Sequence, residues 1–438
     1  STQNALFSQV IASSNLNIYN SITGLKPDVI STIHHSESFN KTFVGNKNGL
    51  ILIQNSDGSV TTKVDVIEEV PVPPNKKKIN DFYEFNGRLY VATDYGISVI
   101  DVATSEFITT YFIGTAGEET EVLQTTVLNN EIYAVTRSFG IRKANINNPN
   151  LFDFSQWQTF DTNFWTGIVT FNNQLVATNT NARTYSYNGA SFQEILNHNQ
   201  IGLKLKTNGN ELIITTQNNI YVLGQSFNIM AHITQIPDLN VKFTAATVVD
   251  EFIYIGTEKD GLFSTPITNP TVFTAMSPNG PLQNYAFRVK KGKNKLWMVH
   301  GDYSQQFNPY PLDELGISTY TTDNSWQILP YQDLLGAKSL SDIAINPSRS
   351  NEVFVTSYFS GMLKFQGEDV ELLNNTNTGT NGLESLVVTG NPSYVDIRIN
   401  SPAFDKEGNL WVTNGLVDKG IKVLRTNGQW QSYDLTGI

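Results

Sequence analysis

The sequence predicts an all-β protein, a β-propeller built from four-stranded blades. A short apolar strand, centred on aromatic or β-branched residues, recurs nine times at intervals of about 37 to 57 residues, close to the period of propeller blades. Helical periodicity is almost absent, and Gly and Asn stand between the apolar runs, where tight turns need a positive φ. The nine repeated strands are Thr42–Gly45, Leu89–Thr93, Ile132–Thr136, Leu175–Thr178, Leu212–Thr215, Ile253–Thr257, Leu296–Val299, Val353–Thr356 and Leu410–Thr413.

Each repeat contains signals for four strands. In the second repeat they cover residues 79–84, 89–93, 96–101 and 107–112, and the third strand begins with a glycine. Blades of this kind bury both faces against their neighbours, which explains why apolar residues alternate along strand after strand. Short helical turns are expected at residues 312–315 and 331–336.

Composition supports a folded protein and excludes several classes. Hydrophobic residues make up 39% of the 438 residues, so a sizeable core is available, while charged residues reach 16% against about 25% in typical domains. A coiled coil, a helical repeat and a charged disordered tail are therefore excluded. The formal net charge of −11 makes nucleic acid an unfavourable partner.

Absent residue types and segments narrow the possibilities further. The chain has no cysteine, so disulfides and thiolate sites are ruled out. No apolar run has the length of about 18 residues needed to cross a bilayer, so no transmembrane segment is expected. The first residue is Ser1 and not the start of a charged and apolar leader. Either the protein is cytosolic or an export signal has already been removed, and a start without Met favours the second alternative.

The number of repeats bears on the domain organisation. Nine units exceed the usual four to eight blades per ring. We predict a first propeller of about seven blades at residues 14–330, and two further blades at residues 331–438 that begin a second propeller. A single larger ring of nine blades is the alternative. Residues 15–20 are expected to form an outer strand.

Signatures of catalysis are missing from the sequence. The phosphate-binding, dinucleotide-binding, zinc-protease and serine-hydrolase motifs do not occur. His34 and His35 are adjacent, so on a strand they point to opposite faces and cannot bind one metal together. We therefore predict a protein that is not an enzyme and that uses no cofactor and no metal.

Two lysine-rich islands interrupt the acidic background. The first is Lys76, Lys77 and Lys78, and the second contains Lys290, Lys291, Lys293 and Lys295. Such runs are more often solvated turns than binding sites. If they are functional, they would bind an anionic surface or glycan locally, in spite of the net charge.

The turns after the repeated strands contain a second set of candidates. A propeller presents its functional loops there, and exposed aromatic or charged residues on rigid loops favour a binding surface. Five residues in these turns are candidates for binding: Tyr95, Arg137, Phe139, His300 and Tyr303.

Several segments resemble a known family. The sequence resembles the first propeller of PorZ-like proteins, two-propeller surface components of the type IX secretion system of Bacteroidetes. The segments that carry the resemblance are Asn17–Tyr19, Gly24–Leu25, Lys78–Asp81, Tyr95–Asp101, Thr110–Gly114, Ile345–Pro347, Phe354–Tyr358 and Ala403–Asn414.

The resemblance implies a non-enzymatic part of a cell-surface attachment complex that binds secretion-complex proteins. Family members are thought to help supply the anionic lipopolysaccharide to which secreted cargo is joined, so the lysine islands become a hypothesis for binding it. Members also carry two propellers and a C-terminal β-sandwich, so we expect residues 1–438 to correspond to the first propeller and the start of the second. Two alternatives remain open: an extracellular ligand-sensing propeller of a hybrid two-component regulator, and a carbohydrate-active propeller enzyme.

Overall fold

The computed structural model describes residues 6–9, 16–19, 24–26, 28–276, 280–283, 285–323 and 325–434. These residues form nine four-stranded antiparallel sheets and one two-stranded sheet. In every four-stranded sheet the strands follow each other in chain order, which is the meander expected of a propeller blade. The predicted all-β propeller fold is confirmed, and we number the nine sheets blades 1 to 9.

The chain divides into two compact units, residues 1–277 and residues 278–438. The first unit contains a hairpin and blades 1 to 6. Its strands are β1 (Leu6–Gln9) and β2 (Leu16–Tyr19); β3–β6 (Ile30–Ser36, Lys41–Asn46, Ile51–Gln54, Val60–Lys63); β7–β10 (Ile79–Phe85, Arg88–Thr93, Ile97–Asp101, Phe107–Tyr111); β11–β14 (Val122–Leu128, Glu131–Thr136, Gly140–Asn145, Gln158–Asp161); β15–β18 (Trp165–Phe171, Gln174–Asn179, Arg183–Tyr187, Phe192–Asn197); β19–β22 (Lys204–Thr207, Leu212–Thr215, Ile220–Leu223, Ile229–Ile233); and β23–β26 (Phe243–Val249, Phe252–Thr257, Leu262–Pro266, Thr274–Met276).

The second unit contains blades 7 to 9. Its strands are β27–β30 (Arg288–Lys291, Lys295–Val299, Ile317–Thr321, Trp326–Leu329); β31–β34 (Leu340–Ile345, Glu352–Ser357, Gly361–Gln366, Asp369–Leu373); and β35–β38 (Arg398–Phe404, Leu410–Gly415, Ile421–Leu424, Trp430–Tyr433). Helical structure in the described residues is limited to α1 (Asp65–Glu68) and three single 3-10 turns, at Pro74–Lys76, Phe154–Gln156 and Tyr331–Asp333.

Hydrophobic cores lie between consecutive blades within each unit. In the first unit, five buried clusters join blades 1 to 6 pairwise, and a sixth packs the β1–β2 hairpin against blade 1. In the second unit, one cluster joins blades 7 and 8 and another joins blades 8 and 9. Blades 1 to 5 and blade 8 each contribute to two of these clusters, so they bury both faces, as the alternating apolar pattern predicts.

A β-bulge recurs near the start of the first strand of a blade. The register shifts there in six blades, between residues 30 and 32, 79 and 81, 122 and 124, 165 and 167, 243 and 245, and 340 and 342. A bulge adds local twist and bends the strand. The bulges therefore bend the same end of the first strand in blade after blade.

Most local predictions are confirmed. All nine repeated segments are second strands of blades, and the 3-10 turn at Tyr331–Asp333 lies in the segment expected to be helical. The helical turn expected at residues 312–315 is wrong: the segment has no helical structure, and the Asp313 carbonyl accepts a hydrogen bond from the distant Ser339 N at 2.9 Å. Leu16–Tyr19 is a strand, but it pairs with Leu6–Gln9 and not with a blade.

The predicted domain boundary at residue 330 differs from the division into compact units at residue 277. Compactness of a chain segment and closure of a ring are separate properties, so the seven-blade propeller at residues 14–330 stays a prediction. Its first residue, Ser14, lies outside the described residues.

Candidate functional site

The meander topology gives every blade two distinct ends. The turn between the second and third strands and the link to the next blade lie at one end, which we call the loop end. The turns between the first and second strands and between the third and fourth strands lie at the opposite end. The first lysine island, Tyr95, Arg137 and Phe139 belong to the loop end of the first unit. His300 and Tyr303 belong to the loop end of the second unit, whereas the second lysine island lies at the opposite end of blade 7.

The three lysines of the first island have different environments. Lys76 is exposed, and its Nζ lies 3.4 Å from a carboxylate oxygen of Glu119. Lys77 is buried, and its Nζ donates to the main-chain carbonyls of Ile67 and Glu69, the latter at 3.0 Å. Lys78 is half-buried at the start of blade 2. Lys77 therefore fastens the link that precedes β7, and Lys76 is the member of the island most open to a ligand.

The candidates in the turns of blades 2 and 3 are held by neighbours. Tyr95 has no exposed surface, its hydroxyl lies 2.8 Å from Ser98 Oγ, and burial raises its pKa to about 12. The Arg137 guanidinium donates two hydrogen bonds of 3.0 Å to the Glu121 carboxylate, which raises the pKa of the arginine. Phe139 is half-buried. The cation of Arg137 is already compensated, and Tyr95 is part of the core.

A polar cluster that sequence reasoning missed lies among the first strands of the first unit. The Lys204 side chain of β19 is half-buried, and its Nζ donates to Asn80 O at 3.5 Å. Desolvation lowers the pKa of Lys204, and the nearby Asp81 carboxylate opposes that shift. A cavity of about 30 Å³ lies beside Lys204, Asp81 and Gln124. This space suffices for a water molecule, and the cluster links blades that are far apart in sequence.

The second lysine island is the most exposed cationic surface among the candidates. Lys290, Lys291, Lys293 and Lys295 are all exposed on the hairpin formed by β27 and β28. The Lys295 Nζ donates to Gln327 Oε1 at 3.3 Å. None of the four lysines is within 4 Å of a carboxylate among the described residues. Their charges are therefore available to an anionic partner.

His300 has a structural environment. It is 2% exposed, its Nε2 lies 2.8 Å from Ser318 Oγ, and its Nδ1 contacts the main-chain carbonyl of Tyr285. Both ring nitrogens are thus occupied by neighbours on the same unit. The imidazole fixes the start of the long loop between β28 and β29.

Tyr303 lies at the centre of an aromatic cluster on that loop. Its ring is 4.5 Å from the ring of Tyr358, 5.0 Å from Phe287 and 5.5 Å from Phe307. Asn400 Nδ2 donates to the Tyr303 hydroxyl at 2.7 Å. Residues from blades 7, 8 and 9 therefore meet at one point of the loop end.

An arginine that was not predicted completes this cluster. The Arg398 guanidinium lies 5.8 Å from the Tyr358 ring and pairs with the fully buried Asp396, with Nη2 2.8 Å from Oδ2. Its Nη1 donates to the main-chain carbonyl of Phe307 at 3.2 Å. The Tyr310 and Tyr394 hydroxyls also contact each other. The only sequence signal for this cluster was the presence of aromatic residues in the turns. The convergence of residues 303, 358 and 398 depends on tertiary structure, so the sequence could not predict it.

Two further properties concern metals and membranes. Within the described ranges, no group of three or more His, Cys, Asp or Glu side chains is arranged to hold a metal ion. Among those same residues, no helix has the length and apolarity needed to cross a bilayer.

Comparisons with known proteins agree with the resemblance seen in the sequence. Residues 1–158 match the model of the N-terminal β-propeller domain of PorZ, a type IX secretion protein. PorZ of Porphyromonas gingivalis, described as an essential bacterial surface component of the type IX secretion system, superposes with a TM-score of 0.69 at 19% identity. The superposition covers 100% of this chain and 58% of PorZ, so the chain spans a little over half of that protein.

Two further solved structures superpose with lower TM-scores. The extracellular domain of a putative hybrid two-component system from B. thetaiotaomicron has a TM-score of 0.42 at 14% identity, covering 99% of this chain and 67% of that one. BamB from Moraxella catarrhalis has a TM-score of 0.39 at 12% identity, covering 56% and 86%. A search of curated proteins finds no match. The chain is thus PorZ-like, by sequence over residues 1–158 and by fold over its whole length.

Proposed function

We propose that the chain is an exported propeller scaffold of a type IX secretion system that works by binding partner proteins. The observation that carries this proposal is the match of residues 1–158 to the PorZ N-terminal propeller. The fold similarity over the full chain supports it. The proposed location is the periplasm or the outer-membrane surface.

The polar groups at the loop ends support binding rather than catalysis. Arg137 is paired with Glu121 and Arg398 with Asp396, and in both pairs the guanidinium makes several hydrogen bonds to one carboxylate. A general acid or base needs a group that can reach a substrate and exchange a proton. Side chains locked in such pairs instead give a rigid, specific surface, so we propose a non-enzymatic role.

Deletion of the gene in the source bacterium tests the secretion role. We expect cargo of the type IX pathway to be retained or to keep its sorting domain, and re-expression of the intact gene to restore surface cargo. Immunoblots of surface and periplasmic fractions measure both effects. Normal surface display and cargo processing in the deletion strain would contradict the proposal.

We further propose that the exposed hairpin with Lys290, Lys291, Lys293 and Lys295 binds an anionic lipopolysaccharide. Lysine charges near an anionic lipid surface contribute about 1 kcal/mol each. Lys77, Tyr95 and His300 are buried, so they are not part of the surface that we propose.

Charge reversal tests the glycolipid proposal. Replacing the four hairpin lysines by Glu should weaken binding to purified anionic lipopolysaccharide by about tenfold or more. The matched control replaces four other exposed lysines by Glu, and so changes the net charge equally: Lys47, Lys259, Lys406 and Lys419. Equal losses in both variants would show that the hairpin is not the site. Calorimetry with lipopolysaccharide micelles measures both.

A further inference from the structure

A turn of one geometry recurs seven times in the described chain. The first residue of the turn exchanges main-chain hydrogen bonds with the fourth and fifth residues, and the fourth residue has a left-handed backbone conformation. Glycine is the residue that adopts this conformation without steric cost. Five of the seven turns have glycine at this position, and two have phenylalanine: Gly49, Gly58, Gly117, Gly408, Gly428, Phe227 and Phe307.

The two phenylalanines have different surroundings. Phe227, with φ of 60°, packs on Phe171 at 5.8 Å between ring centroids and adds to the core between blades 4 and 5. Phe307, with φ of 57°, leaves 59% of its surface exposed and stacks on Tyr303 at 5.5 Å. Burial therefore compensates the backbone strain of Phe227 but not that of Phe307. Strained and exposed aromatic residues occur at binding sites, because the strained backbone there holds the side chain where a ligand can contact it.

The main chain of Phe307 and the Tyr303 ring on which Phe307 stacks are both held by neighbours. The main-chain carbonyl of Phe307 accepts a hydrogen bond from Arg398, which is itself anchored by the buried Asp396. The supporting Tyr303 ring is fixed by Asn400 and by Tyr358. An aromatic side chain that is supported in this way loses less conformational entropy on binding than an unsupported one.

Further exposed apolar side chains belong to Tyr310 and to the segments that adjoin the contacts of this loop. Tyr310 is 44% exposed, and Val395, next to the Tyr394 that contacts Tyr310, is 46% exposed. Leu416 is 68% exposed, has a left-handed φ of 60°, and follows Gly415, which lies against Arg398. We call Phe307, Tyr310, Val395 and Leu416 the Phe307 shelf. Aromatic residues and arginine are enriched among the residues that contribute most of the binding energy at protein interfaces.

The charge beside the shelf indicates the kind of partner. Arg398 is neutralised by Asp396, and Lys338 pairs with Glu314. Asp302 and Asp313 have no ion pair among the described residues, and Asp302 directly precedes Tyr303. Beside Leu416, the exposed Asp418 and Lys419 also have no ion pair among the described residues. The unpaired charges near the shelf are therefore three carboxylates and one ammonium group, a net negative charge that disfavours an anionic glycan, and the aliphatic Val395 and Leu416 offer little to sugar hydroxyls.

From this geometry we propose that the Phe307 shelf is a docking surface for a protein segment with an aromatic or aliphatic anchor flanked by Lys or Arg. The anchor packs on Phe307 and Leu416, and the basic residues face Asp302 and Asp313. The proposal rests on the role of the chain as a protein-binding scaffold, and it adds the surface and the chemistry of the partner.

Peptide display on the purified chain tests this proposal. A random peptide library selected on the wild type should yield peptides with an apolar anchor next to Lys or Arg. Their affinity should fall at least tenfold on Phe307→Gly, while the stability of that variant should be unchanged or higher, because glycine relieves the strained φ. The matched control is Phe227→Gly, at the same position of the equivalent turn in blade 5, which should lose stability and keep peptide binding.

Other results would overturn the proposal. Selected peptides that lack the basic and apolar pattern, or that bind Phe307→Gly as well as the wild type, would show that the shelf is not the docking surface. Failure to select any peptide, together with binding of neutral oligosaccharides that Phe307→Gly abolishes, would assign the shelf to a glycan. The secretion role is tested separately by the deletion strain, so either proposal can fail alone.

Discussion

His198 is a buried histidine whose two ring nitrogens have different hydrogen-bonding environments. Its side chain has no exposed surface, its Nδ1 contacts the carbonyl of Gln200, and its Nε2 has no hydrogen-bond partner among the described residues. Nδ1 must carry the proton in order to donate to that carbonyl. Burial lowers the pKa of His198 below its ordinary value of 6.5, so the folded state favours the neutral ring.

This environment predicts a loss of stability in mild acid. Below pH 6.5 the unfolded chain binds a proton at His198 that the folded chain resists, so the free energy of unfolding falls as pH decreases toward the folded pKa. The destabilisation is absent above the unfolded pKa. Urea denaturation at pH 7.5 and 5.5 should therefore show a smaller pH effect in His198→Gln than in the wild type. His35→Gln, at an exposed position, is the control for the loss of an imidazole. Equal slopes in all three proteins would remove His198 as the cause.

Individual site residues were predictable by type but not by environment. Lysine islands and loop aromatics mark polar turns in a sequence, yet Lys77 turned out to be buried against carbonyls and Tyr95 to be part of the core. Phe307 and Arg398 were missed because backbone strain and convergence of loops arise from the tertiary structure. No local pattern in the sequence distinguishes an exposed aromatic in a turn from one that closes a core.

At the scale of the element, a glycine often begins the third strand of a blade for a steric reason. A Cβ at Gly96 would lie 2.3 Å from the carbonyl oxygen of Tyr111, and one at Gly140 would lie 2.0 Å from that of Asp161. The same close approach occurs at Gly316 and Gly361, again to a carbonyl of the outermost strand or its end. The glycine therefore allows the fourth strand to pair closely with the third.

Three alanine variants separate the steric and conformational effects. Gly189→Ala places a side chain in open space at a φ of 97°, and should cost about 1 kcal/mol of unfolding free energy. Gly96→Ala creates the clash without a positive φ, and should cost about 1–3 kcal/mol. Gly140→Ala combines both and should be the most destabilising of the three. Chemical denaturation measures the free energy of unfolding of the three variants. A Gly140→Ala protein as stable as the Gly189→Ala protein would disprove the steric role of the carbonyl contact.

The strands themselves were largely predictable, because alternation of apolar residues is a local property. All nine repeated segments are second strands, and the four strands of blade 2 lie within a residue or two of their expected positions. The β1–β2 hairpin was not predicted, because the sequence of β2 does not determine whether it pairs with β1 or with a blade. The path of residues 300–316 was missed for the same reason: its contacts are to residues far away in sequence.

At the scale of the whole molecule, the position of the domain boundary is open to a direct test. A boundary at residue 330 would cut through the cluster in which Val299 and Ile317 of blade 7 pack with Leu340, Ile343 and Val355 of blade 8. A boundary at residue 277 leaves that cluster whole. Full burial of one such side chain contributes about 1.5–3 kcal/mol, so exposing several exceeds the stability margin of an ordinary domain.

We therefore expect the fragment pair 1–277 and 278–438 to behave differently from the pair 1–330 and 331–438. Residues 1–277 and 278–438 should each be soluble and unfold cooperatively in urea. Residues 331–438 should bind a hydrophobic dye and unfold without a cooperative transition, because blade 8 has lost its partner in the cluster with blade 7. The two pairs have the same total length and differ in the position of the cut. Cooperative unfolding of 331–438, with aggregation of 278–438, would instead favour the seven-blade propeller that ends at residue 330.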